Sequence, residues 1–381
     1  MRMGELGVAL IGTGYMGKAH AHAWRVARAV MGDLPPVRLE LLCDVPEERA
    51  AKTADRFGFA RFTANWREVA ADPRVDVVSI AAPNHLHRDV AVAALAAGKH
   101  VWCEKPMALT LEDAGAMAAA ARRVGRVTLV GYNYLRNPAV AHAARLIAAG
   151  RIGRPVHFRG VFDEDYQADG DLEWTWRARR ADAGLGALAD MGCHVVSIAQ
   201  ALMGPIASVV AETQIVHETR PTAEGGRAAV ENEDAAGALV RFASGAQGYL
   251  GTSRASWGRK NGLDWEVHGT AGAIRFTQER MNELRLFLAE GPEAERGFRT
   301  VLTGPAHPPY GAFVPSAGHQ LGFLDLKAIE AAELLRAVAG GPRASPDFGE
   351  AVGIEAVIHA MDRSAATGRR VTVSEMLAAA A

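Results

Sequence analysis

The stretch GVALIGTGYMGKAHAHAW, residues 7–24, reads as an apolar strand, a glycine turn and an Ala-rich helix in immediate succession. Gly12, Gly14 and Gly17 stand in GxGxxG spacing at the strand–helix junction, and that context turns a common pattern into a specific one. Gly12 permits the tight turn, Gly14 lets a pyrophosphate approach the backbone, and Gly17 lets the helix pack closely on the strand. Thr13, Tyr15 and Met16 fill the turn, and the amides of the helix start face an anion. The next strand ends in LLCD, which places Asp44 where a dinucleotide-binding fold holds the carboxylate that accepts hydrogen bonds from the adenine ribose. The wide gap between Gly17 and Asp44 is an extended loop, MGDLPP. The next basic side chain is Arg49, and Asp44 would repel a 2′-phosphate, so NAD is expected rather than NADP.

Outward from this turn, short β-branched runs alternate with Ala-rich helical ones as far as residue 132, the pattern of βαβ units feeding a parallel sheet. Strands are expected at Gly7–Ile11, Arg38–Cys43, Asp76–Ala82, His100–Cys103 and Val127–Tyr132. Helices are expected at Pro46–Phe57, Arg88–Ala97 and Leu111–Val124, with Thr110 as an N-cap and Asp113 three residues on. After Pro138 the rhythm changes to a helix, a strand at Val156–Phe162 and a Trp- and Arg-rich loop to Leu185. From Val209 to about Leu302, strand-like runs meet at Ser-Gly and Ala-Gly turns, which argues a mainly antiparallel sheet. Two helical segments, about 320–339 and 348–366, follow. The expected fold is therefore α/β: an N-terminal Rossmann dinucleotide-binding domain, residues 1–132, and a C-terminal α+β substrate-binding and oligomerisation domain with a large open sheet, residues 133–381.

The 381 residues include 42 basic and 43 acidic side chains, with neither a basic block nor an acidic tail, so nucleic acid and anionic membrane are not expected partners. Cys43, Cys103 and Cys193 are too few and too scattered for a disulfide framework or a zinc site, and suit a reducing cytoplasm. The apolar start is broken by glycines and reads as strand and turn rather than a signal peptide. The uncharged run Met191–Ala211 is interrupted by His194, Gln200 and Gly204-Pro205, and falls short of a membrane helix.

Only six of the 42 basic residues are Lys, at positions 18, 52, 99, 105, 260 and 327. Lysine, unlike arginine, can release its proton once its pKa is lowered. In VWCEKPM, residues 101–107, Glu104 and Lys105 end a strand, and Pro106 keeps Lys105 out of the helical region. A surface ion pair of the two is the plain alternative, but neighbouring strand residues point to opposite faces. AAPNHLH, Ala81–His87, ends another strand and offers Pro83, Asn84, His85 and His87 to a cofactor. His85 and His87 would also suit a metal, but no third ligand lies near, and no metal is expected. GALADMGCHVVSIAQAL sets Asp190 and His194 four apart on one helical face, where a carboxylate orients an imidazole; a core histidine or half a metal site fits the same spacing.

GTGYMG, PNHLH, EKP and GALADMGCH, in this order, resemble the glucose-fructose oxidoreductase and inositol dehydrogenase (Gfo/Idh/MocA) family over essentially the whole chain. GYNYLRNPAVAHA, VHGTAGAIRF and GFRTVLTGPAHPPYG resemble its levoglucosan dehydrogenase branch. The resemblance implies an NAD-dependent enzyme that oxidises a ring hydroxyl, at C3, of a pyranose-like sugar. It puts Lys105 between nicotinamide and substrate hydroxyl, with Asn133 beside the cofactor and the Lys105–Pro106 bond cis; Glu104 is expected either to meet the cofactor or to pair with a base from the second domain. It makes Asp190 and His194 the second catalytic pair, and it implies a homodimer or homotetramer. Asn133 and Arg136, just past the domain junction, and Trp176, Arg177 and Arg180, before the catalytic helix, are expected to meet the sugar; Trp174 and Trp176 would equally serve packing. His307 and Tyr310 are candidates for a lid. Whether Lys105 or His194 is the base stays open. So do three rivals: an NAD-dependent glycosidase working through C3 oxidation and elimination, an inositol or cyclitol dehydrogenase, and a cofactor-binding sensor without catalysis.

Overall fold

The structure, a computed structural model, describes residues 4–379. Its internal contacts divide it into two units, one running to Arg136 and including Gly322–Val352, the other Asn137–Leu321 with the segment from Gly353 onward.

The first unit is built on six parallel strands, β1 (Leu6–Ile11), β2 (Val37–Cys43), β3 (Arg61–Thr63), β4 (Val77–Ile80), β5 (His100–Cys103) and β6 (Thr128–Val130), in the order β3-β2-β1-β4-β5-β6. The order reverses between β1 and β4, and at such a switch point the carboxyl ends of the strands leave a crevice for ligands. Helices α1 (Tyr15–Met31), α2 (Glu47–Phe57), α3 (Trp66–Ala71), α4 (His87–Ala96) and α5 (Leu111–Val124) connect the strands. The Thr110 side chain accepts the Asp113 amide at 3.1 Å, the cap expected from sequence. β3 and α3 were not expected, since three and six residues are too short to display a period.

The helix Phe323–Val338 returns to this unit: Ala331, Ala332, Leu334 and Leu335 share one buried cluster with Ala23, Trp24 and Ala27 of α1. A single division at residue 132 therefore differs from the observed units in two respects. Asn133–Arg136 stay with the first unit, and residues 322–352 rejoin it, because small side chains on both helices allow close, dry packing.

The second unit carries β7 (Pro155–Asp163), β8 (Ile206–Gln214), a ribbon of β9 (Thr219–Pro221) and β10 (Arg227–Ala229), then β11 (Ala235–Phe242), β12 (Gln247–Ser253), β13 (Gly262–Gly269), β14 (Gly272–Thr277), β15 (Glu283–Leu288), β16 (Arg299–Leu302) and β17 (Val371–Thr372). The main sheet runs β16-β15-β14-β13-β7-β12-β11-β8-β17, and β7 with β12 is its parallel pair. Ser244-Gly245 closes the β11–β12 hairpin and Ala271-Gly272 the β13–β14 hairpin, as the turn residues imply. Side chains alternate cleanly: Phe158, Phe162, Leu263, Trp265 and Val267 are buried, while Arg159, Asp264 and Glu266 face outward. The helix Cys193–Met203 covers β7 and β12. The stretch Arg180–Met203 is apolar and long enough to cross a membrane, yet 83% of its window is buried within the fold, which marks a core segment.

Candidate active site

In the first unit the chain leaves four strands at one level. Gly12 donates its amide to Cys43, Ala81 to Ile11, Glu104 to Ile80 and Gly131 to Cys103, so the residues after β1, β4, β5 and β6 line one edge. Gly12 has φ +94° and a Cβ there would meet the Ala81 carbonyl oxygen at 2.4 Å, so the turn admits only glycine. At Gly14 a Cβ would meet nothing within 4 Å, and Tyr15 starts α1 with no side-chain cap. An open glycine before uncapped helix amides is what a pyrophosphate needs, so these residues fit a dinucleotide.

Asp44 closes the loop. Its carboxylate accepts the Thr13 amide at 3.0 Å and the Thr13 hydroxyl, the Val45 amide at 2.6 Å, and Arg49 at 2.5 Å. Burial pushes the Asp44 carboxyl up, but Arg49, Thr13 and the Val45 amide outweigh it and hold it below the usual range. Arg49, from sequence only the next base along the chain, thus sits on the Asp44 carboxylate itself.

His87, expected at the cofactor, faces protein partners, and of the two readings of Glu104 the structure bears out the pairing with a base from the second half of the sequence. His87 is buried, with Nδ1 2.9 Å from the Pro106 carbonyl and Nε2 2.9 Å from the Ala82 carbonyl, so it ties the turn after β5 to the turn after β4. Glu104 is buried as well and points behind the sheet. Its Oε1 accepts His20 Nε2 at 2.7 Å and the Lys327 ammonium at 2.5 Å. Lys327 also bonds Glu330 at 2.8 Å and lies over the Trp102 ring, which stacks on His20 at 3.7 Å. Because His20 Nε2 donates to the Glu104 carboxylate, Nδ1 of the neutral imidazole is the acceptor for the Ser79 hydroxyl 2.6 Å away, which itself accepts Trp24 Nε1 at 3.3 Å. Burial pushes His20 down to about 4 and Glu330 up to about 7, while the Lys327 charge holds Glu104 well below the carboxylate range against its own burial.

Lys105 is half-buried and its bond to Pro106 is cis. Asn133 is buried with Nδ2 lacking a hydrogen-bond partner among the described residues, a donor available to a ligand. Arg136 departs from expectation. It pairs with Glu333 at 3.0 Å and donates to the Ser345 carbonyl, and so ties the chain to the returning helix.

In the second unit Asp190 lies in a π-turn, Leu188–Gly192, from which the helix carrying buried His194 continues. The pair keeps its four-residue spacing, but through a wider turn than the α-helix expected from periodicity; such turns recur at functional sites. The Tyr166 hydroxyl donates to Asp190 Oδ2 at 2.6 Å. Burial and the facing carboxylate push that phenol well above its ordinary range, so it stays a donor. The Leu188 amide donates to Glu233 at 2.9 Å, and Arg254 pairs with Asp234 at 2.7 Å, fixing the floor under the π-turn. Trp176 and the exposed Arg177 stack on each other at 4.6 Å, and Asn232 holds the Arg177 carbonyl at 2.8 Å. Trp174 is a packing residue, its Nε1 bonded to the Ala229 carbonyl, and Arg180 pairs with Asp362. Tyr310, proposed from sequence as part of a lid, is buried and donates to the His319 carbonyl at 2.6 Å; His307 lies against His142. Tyr166, Lys327 and His20 were missed from sequence, although Lys327 carried a signal as a rare lysine within an apolar helical run.

A family model described as an oxidoreductase family with an NAD-binding Rossmann fold matches residues 6–132, and the GFO/IDH/MocA C-terminal domain matches residues 140–275. A levoglucosan dehydrogenase of Pseudarthrobacter phenanthrenivorans is 39% identical over 391 aligned residues, spanning 99% of this chain and 100% of that protein. Among solved structures, a levoglucosan dehydrogenase in complex with NADH and levoglucosan is 39% identical with a TM-score of 0.94, covering 97% of this chain and 99% of its own. An NAD binding oxidoreductase from Klebsiella pneumoniae is 41% identical with a TM-score of 0.93 over the same shares.

The neutral His20 has a consequence for stability. Its pKa is about 4 in the fold against 6.5 unfolded, so the unfolded chain takes up the proton first and stability is lost as pH falls from 6.5 towards 4. The loss approaches about 3 kcal/mol. Glu330, raised to about 7, acts with the opposite sign, losing stability as pH rises from 4.5. The His20 contribution is therefore isolated by comparing urea unfolding of the wild type and His20→Gln at pH 7 and pH 4.5: the variant should lose less stability on acidification, and equal losses would contradict the assignment.

Proposed function

The chain belongs to the Gfo/Idh/MocA oxidoreductases, and on that premise we propose that it oxidises the C3 hydroxyl of levoglucosan, or of a closely similar pyranose, to the ketone with NAD. The full-length likeness to a levoglucosan dehydrogenase carries this reading.

NAD, when bound, supplies the hydride acceptor. The glycine turn and the α1 amides bind its pyrophosphate, and Asp44 takes the adenine ribose hydroxyls once Arg49 yields. His194 takes the hydroxyl proton, and Asp190, held by Tyr166, orients the imidazole. The Lys105 amine hydrogen-bonds the developing alkoxide or relays the proton. The Asn133 amide donates to the bound ligands, and Trp176 and Arg177 supply an aromatic face and a planar donor suited to sugar hydroxyls. Pro83 and Asn84, at the end of β4, flank the cofactor, while His87, Glu104 and Arg136 support the site from behind.

We also propose that another copy of the chain covers the outer face of the large sheet. That face carries a groove of about 570 Å³ lined by Arg159, Asp264, Glu266, Arg275, Glu283 and Arg285, a mixture of both charges that can pair with itself about a two-fold axis. Three buried free thiols fit a reducing cytoplasm.

Purified protein given NAD and levoglucosan should form one NADH per sugar oxidised with the ring skeleton intact, and Lys105→Ala and His194→Ala should each slow that step. Cleavage of a glycoside without net NADH would replace this reading with the glycosidase; undiminished hydride transfer in both variants would remove the residue assignment. Light scattering at micromolar concentration should give a dimer or tetramer, and a monomer would refute the sheet-face interface.

A further inference from the structure

A chain that meets nearly all its charge needs with arginine spends one of six lysines on a site without solvent access. Lys327 has 0% exposure, and its ammonium bonds Glu104 at 2.5 Å and Glu330 at 2.8 Å. Stability alone is a poor reason for this, because the desolvation of buried charges largely cancels their attraction, and well-packed neutral residues often do as well. The position of Glu104 supplies another reason.

Glu104 is the chain neighbour of Lys105, and its two oxygens face different partners. Oε1 takes His20 and Lys327, whereas Oε2 lies 3.4 Å from the Lys105 amide. The turn is also held at its other points. The Glu104 amide bonds Ile80, the Cys103 carbonyl accepts from Gly131, and the Pro106 carbonyl faces His87. Gly131 is part of the same device: a Cβ there would lie 2.7 Å from Glu104 Oε1 and 2.9 Å from Lys327 Nζ, so the backbone has been kept bare to let the ion pair form. The groups facing Lys327 are then His20 of α1, Glu104 just after β5, Glu330 on its own helix and, through the Glu330 carboxylate, the charge of Arg136.

We propose that Lys327 is a positioning residue for Lys105: from behind the sheet it anchors the Glu104 carboxylate, and the anchored carboxylate holds the backbone that presents the Lys105 amine. The inference rests on the reading of Lys105 as the amine that meets the substrate hydroxyl.

The test separates position from stability by replacing the charged set as a whole. Lys327→Met alone leaves Glu104 buried without its cation and should lose stability. The triple variant Glu104→Gln/Lys327→Met/Glu330→Gln removes all three charges together and should unfold near the wild-type temperature. If Lys327 positions Lys105, the triple variant binds NADH with wild-type affinity by fluorescence titration and keeps its KM for levoglucosan. Its kcat, however, falls by about 10- to 100-fold, the scale of a misplacement of about 1 Å. Wild-type kcat in the folded triple variant, with Lys105→Met inactive, overturns the positioning role alone; wild-type kcat in Lys105→Met overturns the reading of the site beneath it. Should the triple variant not fold, Glu330→Gln loosens the same anchor: a lower kcat at unchanged NADH affinity supports the proposal, and a wild-type kcat overturns it.

Discussion

A carboxylate stripped of water is tolerated only where a cation and hydrogen bonds replace its hydration. Glu104 is such a carboxylate, and much of the first unit is arranged around satisfying it. The cation comes from residue 327, more than two hundred residues along the chain, so the helix Phe323–Val338 has to come back. Its return explains why the division into units is not a single division of the sequence, why Gly131 carries no side chain, and why α1 presents the small faces of Ala23 and Ala27 towards it. The neutral His20 completes the set with a donor that adds no further buried charge.

Much of the fold is legible in the sequence alone. The glycine turn, the βαβ rhythm and the hairpin residues each follow from local sterics, and local sterics are written in local sequence. Thus β5 (His100–Cys103) and α5 (Leu111–Val124) lie where their patterns end, and the Thr110 cap forms as the residue types require. What stayed hidden depends on distance in the chain. Nothing near Glu104 announces Lys327, nothing near Asp190 announces Tyr166, and β3 and α3 owe their existence to neighbours rather than to any period of their own. His87, Glu104 and Arg136 show the same limit in reverse. Each has the chemistry of a ligand contact and lies close in sequence to the site, but each side chain is turned towards protein partners that only the fold brings near.

The two halves of the proposed chemistry share a design. In one, the Lys105 turn is held by buried polar groups on the side away from solvent; in the other, the Asp190 carboxylate is held by Tyr166 while Glu233 caps the backbone beneath it. Hydride transfer needs a hydroxyl whose proton leaves as the hydride does, which favours acids and bases fixed in place over mobile ones. A π-turn at Asp190 and a turn tied at Glu104 and Pro106 are two ways of fixing them.

The central claim, that the hydrogen on C3 leaves the sugar as hydride to NAD, is tested most directly by single-turnover formation of NADH from levoglucosan carrying deuterium at C3. The account predicts slower NADH formation than from the protiated sugar, with the label recovered in NADH. Equal rates with the label retained at C3 of the product would contradict it.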